Sequence, residues 1–151
     1  MSVSRRSKLR SRLLCAGLLL AVALPLSACK EVEEESAAGY EPAKLASVKG
    51  SEDVQRVTFT AEGARRVGLQ TAPVKRSGKQ KLVPYAALIY EAGGKTYVYT
   101  SPARLTYLRE RVWVDHVEGK RVFLTRGPRA GTDVVTVGAT EVYGTEFEVG
   151  H

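Results

Sequence analysis

Residues 54–147 are predicted to form an all-β domain, a small barrel or sandwich of about seven short strands with one short helix. Three observations carry this expectation. β-Branched and aromatic residues fall into short runs such as Val54–Phe59, Thr96–Thr100 and Val134–Val137. Turn residues punctuate those runs, at Gly93-Gly94, Gly119, Gly127-Pro128 and Gly131. No heptad pattern is sustained anywhere, so a coiled coil is excluded.

Taken in order, Val54–Phe59 reads as a strand by its enrichment and rough alternation. Thr60 then caps a short helix through Ala61, Glu62, Ala64 and Arg65, with Glu62 as a capping-box partner; Gly63 weakens this helix and Gly68 ends it. Leu69–Lys75 is extended, and Pro73 assigns it to an edge or an end. Lys81–Pro84 leads into a strand over Ala86–Tyr90, and the Gly93-Gly94 turn joins this to Lys95–Thr100 as a hairpin. Leu105–Val117 is the longest strand. Period-two alternation puts Val112, Val114 and His116 on one face and Trp113, Asp115 and Val117 on the other. Glu118-Gly119-Lys120 turns into Arg121–Leu124, and a loop from Gly127 to Asp133 precedes Val134–Val137. Gly138–Tyr143 reads as a half-helix or turn, and residues 148–151 as a loose C-terminus. About a hundred residues suffice for one hydrophobic core.

The N-terminal third has a different character. Arg5, Arg6, Lys8, Arg10 and Arg12 precede an apolar run, Leu13 to Leu24, that stops at Pro25. A basic segment, a run too short to span a bilayer and small residues after it make residues 1–28 a signal peptide. Leu26-Ser27-Ala28-Cys29 resembles the cleavage box of bacterial lipoproteins. That resemblance implies diacylglycerol transfer to the Cys29 thiol, cleavage before it, and a membrane-anchored, extracytoplasmic location. Residues 29–53 read as the lipidated Cys29 and a flexible acidic tether, too poor in apolar residues to offset the entropy of ordering.

Charge and composition exclude several functions. The whole chain is +7, but five of its 23 Lys and Arg residues lie in the signal segment, which holds no acid. The remainder carries 18 bases against 16 acids, so nucleic acid is not expected as a partner. With Cys15 removed, Cys29 has no internal disulfide partner; His116 and His151 are the only imidazoles, and no metal site is expected. Ser77, Ser101 and His116 form no nucleophile motif, and the Gly pairs lack the strand–loop–helix setting of a phosphate cradle. The carboxylates Glu110, Asp115, Glu118 and Asp133 stand at turns and strand ends, where acids are solvated. Neither enzymatic activity nor a cofactor is expected.

Longer segments resemble the periplasmic adaptor (membrane-fusion) subunits of tripartite RND-type efflux pumps. Val57-Thr-Phe-Thr-Ala-Glu-Gly-Ala-Arg-Arg-Val-Gly68-Leu-Gln-Thr-Ala-Pro-Val74 looks like their opening strand, short helix and Gly-Ile/Leu-x-Thr-x-x-Val strand. Val83-Pro84-Tyr-Ala-Ala-Leu88 with Gly94-Lys-Thr-Tyr97-Val98-Tyr99 resembles a hairpin near their C-terminus. Val122-Phe-Leu-Thr-Arg-Gly127-Pro-Arg-Ala-Gly131-Thr-Asp-Val134-Val135-Thr-Val137-Gly138-Ala139 is similar to their closing strand pair, with Pro128 at the usual Leu position, a change expected to loosen the loop. In the adaptors a coiled-coil hairpin, a lipoyl-like domain and a β-barrel separate the first region from the others; here only Lys75–Leu82 does. The resemblance implies a free-standing membrane-proximal domain at residues 54–147, unable to bridge two membranes. Its expected function is a lipid-anchored binding or scaffolding module accessory to transmembrane transport, with an inner-membrane transporter as partner. The alternative is a small envelope lipoprotein that binds a solute or senses an envelope component. Oligomeric state is left open. Arg109, Arg111 and Trp113 are the candidate partner-binding residues, since odd positions of the longest strand share a face and two guanidinium groups beside an indole suit an interface.

Overall fold

In the computed structural model of the chain, residues 41–148 are described; the expected signal peptide, Cys29, the beginning of the expected tether and residues 149–151 lie outside them. The described residues form β1 (Ala43–Val48), β2 (Ser51–Phe59), α1 (Ala61–Val67), β3 (Gln70–Pro73), β4 (Lys75–Ser77), β5 (Gln80–Pro84), β6 (Ile89–Tyr90), β7 (Thr96–Ala103), β8 (Thr106–Glu118), β9 (Arg121–Arg126), β10 (Asp133–Val137) and α2 (Ala139–Glu148). The all-β class holds, with a nearly closed, barrel-shaped sheet.

Strand order explains the near closure. The sheet runs β3-β10-β7-β8-β9-β5-β4, and β3 and β4 are consecutive in the chain with only Val74 between them. One stretch therefore supplies both ends, its first half pairing with β10 and its second with β5. A seam remains between β3 and the end of β5, because β4 reaches only to Leu82. Tyr85 donates its amide to Lys120 and Val74 donates its amide to Thr132. In a strand, neighbouring amides point to opposite sides, so the nitrogens of Pro84 and Pro73 point into the seam. Neither has a hydrogen to give, and the ladder cannot close there.

The strands bury two cores rather than the single one expected. Val74, Val83, Val98, Val112, Leu124 and Val134 belong to a cluster inside the barrel. Val57, Phe59, Tyr99, Tyr107, Val135 and Val142 belong to a second, against which β1, β2 and both helices contribute residues. Val98 and Tyr99 are adjacent and both fully buried, as are Val134 and Val135. β7 and β10 thus have apolar cover on both faces, which is why each carries adjacent apolar residues, Tyr97-Val98-Tyr99 and Val134-Val135, without alternation.

Several expectations change at this level. The tether does not extend to Asp53: residues 43–53 form part of an antiparallel hairpin, with Ala43 opposite Phe59 and Leu45 opposite Val57. Its first strand, Ala-Lys-Leu-Ala-Ser-Val, buries only Ala43 fully. The domain therefore begins before residue 54. α1 has the expected ends, with Thr60 Oγ1 accepting from the Gly63 amide at 2.9 Å and Gly68 left-handed at φ 71°. Glu62 forms no capping box; it stands at the second helical position and pairs with Arg66 at 2.6 Å. Gly63 is a packing requirement, since a Cβ there would lie 2.4 Å from the Pro42 carbonyl oxygen. Tyr85–Ala87 is a 3₁₀ turn instead of strand, closed by the Leu88 amide on the Tyr85 carbonyl at 3.0 Å. The half-helix expected over Gly138–Tyr143 is a full ten-residue helix that continues to Glu148. Pro128 is buried, so the loop is packed at that position. Ten strands stand among the described residues where about seven were expected.

Candidate functional site

Strand β8 carries the candidate residues, and its long irregular course decides what each one does. Up to Val112 it pairs with β7; from Trp113 onward it pairs with β9, with register shifts between Trp113 and Val114 and between Val114 and His116. Val112 faces the inner core, with Val114 packed against it. His116 does not stay on that face: the slip turns it onto Phe123, where the two rings stack 4.3 Å apart. The Asp115 carboxylate accepts from Gln80 at 2.7 Å and lies 2.7 Å from His116 Nδ1. Those two hydrogen bonds, the histidine's first, hold Asp115 below the usual carboxylate range.

Arg109, Arg111 and Trp113 alternate in step along β8, but at different depths. Arg109 lies in the outer layer, its side chain 5% exposed. It donates to Glu91 Oε1 and to the Asp53 carbonyl oxygen. Its Nε is 3.2 Å from Glu146 Oε2, close enough for an ion pair but out of line for a hydrogen bond. The guanidinium also lies 4.9 Å from the Tyr97 ring centroid and 4.7 Å from that of Phe147. Glu146, itself buried on α2, accepts from the Tyr99 hydroxyl through Oε2 and from the Gln55 amide at 3.1 Å through Oε1. Burial, followed by the hydrogen bond to Glu146, raises the Tyr99 phenol far above its usual range, so it remains a donor.

This network joins β2, the β6–β7 turn, β7, β8 and α2. It forms part of a cleft of about 460 Å³ whose remaining polar lining includes Glu52, Asp53 and Lys95. A buried charge pair of this kind needs every partner in place. Arg109 is therefore placed as an internal brace and not as the exposed anchor expected from its position on the strand.

Arg111 and Trp113 do come together at the surface. The Arg111 guanidinium carbon lies 5.0 Å from the Trp113 ring centroid, and Arg126, directly opposite Trp113 on β9, lies 4.1 Å from it. Thr125 Oγ1 donates to the Trp113 carbonyl oxygen at 3.2 Å, holding the strand pair together at this point. A cleft of about 340 Å³ on this face is lined by Lys81, Glu110, Arg111, Trp113 and Arg126, among others. Burial raises the Glu110 carboxyl above its ordinary value, with Lys81 opposing the shift. The arrangement can grip an anion with guanidinium groups beside an amphipathic indole.

Glu118 serves a local contact, pairing with Arg121 at 2.6 Å. Among the described residues no group of three or more His, Cys, Asp or Glu is placed to hold a metal ion. The sequence reading missed Glu91, Tyr99 and Glu146 as partners of Arg109 and Arg126 as a partner of Trp113. Only the last had a signal: Arg126 follows the Arg121–Leu124 run that the Gly119 turn sends back beside the long strand. No known protein-family profile matches the chain, and no curated protein matches it.

Proposed function

We propose that the chain is a lipid-anchored, extracytoplasmic binding module accessory to a transporter in the bacterial envelope. One observation supports this most. Segments before and after the β4–β5 hairpin interleave in one sheet, β2 with β8 and β3 with β10, so the barrel needs only this short hairpin between Val74 and Val83. That is the organisation expected of a membrane-proximal adaptor domain standing alone. The resemblance rests on the motifs from Val57 to Ala139, and the anchor on the Leu26–Cys29 box.

The test is photocrosslinking from the exposed apolar positions Tyr85, Tyr90, Val117 and Val137, one at a time, in the native envelope. The expected result is an adduct with a polytopic inner-membrane protein from at least one position. Absence of any protein adduct from all four would remove the transporter reading. A second reading, a solute-binding envelope lipoprotein, is favoured by the 460 Å³ cleft above Arg109, which falls within the size range of small-molecule sites.

A further inference from the structure

We propose that the basic face centred on Trp113 binds the phosphate headgroups of anionic lipids, so that the domain lies against the membrane to which it is tethered. This deepens the anchored reading and rests on it for the membrane's proximity. The geometry is a chain of three clefts. Lys95, Arg111 and Trp113 contribute to the first; Arg111, Trp113, Arg126 and Lys81 to the second; Lys81, Lys79, Arg76 and Arg129 to the third. Each cleft shares a residue with the next, so seven bases form one stripe with Trp113 within it. Glu110 is the only acid that lines any of the three. Asp115 stands at the border, where Gln80 and His116 already engage it.

The composition favours lipid over protein. Protein interfaces are poor in Lys and rich in apolar anchors, whereas this stripe holds three lysines. The exposed large apolar residues, Tyr85, Tyr90, Val117, Val137 and Phe147, line none of its clefts. Trp is the aromatic residue that settles at headgroup depth, and basic residues near an anionic leaflet each strengthen binding severalfold. The paired guanidinium groups beside Trp113 can each grip a phosphate through two hydrogen bonds.

Trp113 is the only tryptophan of the chain, so its fluorescence reports this face directly. The protein purified from its own membranes is weighed for acyl mass, then placed in phosphatidylcholine vesicles with or without phosphatidylglycerol. On anionic vesicles the expected result is a blue-shifted emission, shielded from acrylamide and reversed by high salt, with no change on neutral ones. Arg111→Gln/Arg126→Gln is expected to lower the apparent affinity about thirtyfold. Lys79→Gln/Arg129→Gln, which leaves the surroundings of Trp113 intact, should weaken it comparably. Lys44→Gln/Lys49→Gln, outside the stripe, should leave it unchanged.

Equal emission on both vesicles, or full binding by both stripe variants, would overturn the proposal. So would an equal response to inorganic phosphate alone, or one produced only by a copurified protein. Protein without acyl mass is added to preformed vesicles instead. That result removes the anchor while Trp113 still reads the face.

Discussion

Arg109 is a cation whose water has been replaced by two carboxylates, a carbonyl oxygen and two aromatic faces. Removing such a charge strands its partners, and Arg109→Ala is expected to cost about 3–5 kcal/mol in urea unfolding. Arg111→Ala, on the exposed part of the same strand face, should change stability by no more than about 0.5 kcal/mol. The sequence reading expects the two arginines to act as one surface pair, and unequal losses would separate depth from face. Period-two alternation was legible and put both on one face correctly. It carries no information about which part of that face a later helix covers, and α2 brings Glu146 and Phe147 to Arg109 alone. Glu110 adds a pH dependence. A carboxyl whose folded value is raised costs nothing below its unfolded value and becomes destabilising as pH rises through the folded one. Glu110→Gln should therefore raise the melting temperature at neutral pH, with the gain vanishing below about pH 4.

Elements owe their positions here to a few close approaches. Gly138 leads into α2 at φ 82°, and a Cβ on it would sit 2.4 Å from Leu69 Cδ2 and 2.8 Å from Val67 Cγ1. Gly138→Ala combines a disfavoured backbone with overpacking, and a loss of about 1–3 kcal/mol by urea unfolding is expected. A tether through Asp53 would imply that its removal is harmless. The hairpin revises this: deleting residues 43–50 removes the buried Ala43 and the partly buried Leu45, and should lower the melting temperature measurably. β1 was illegible because its one fully buried position is an alanine, and Leu45 and Val48 stand among small and polar residues as they can in a spacer. α1 was legible because both its caps are local, Thr60 at one end and Gly68 at the other.

For the whole molecule, the class of fold could be read from strand-forming runs and turns, since each of those signals is short-range. The second core could not, because it depends on the docking of helices and the first hairpin onto strands distant in sequence. The anchor is tested separately. Cys29→Ser should yield a product without acyl mass, either uncleaved or released from the membrane, and unchanged cleavage with retention would remove the lipoprotein reading. Acyl chains contribute about 0.8 kcal/mol per buried CH₂, so stable attachment requires more than one of them.

The seam between β3 and β5 has a consequence for neighbours of the same kind. Copies of one protein meet often wherever they are concentrated, and an unpaired strand edge is a template on which another chain can extend its sheet. At this gap the two prolines withhold the donors that such a visitor would need, while Lys75, Lys120 and Arg121 line its apolar slot of about 200 Å³ with like charge. Pro73→Val/Pro84→Val restores both donors. The variant should form concentration-dependent dimers in sedimentation velocity where the parent chain forms fewer. An unchanged distribution would mean that the lysines and Arg121 alone keep adjacent copies from sharing a sheet.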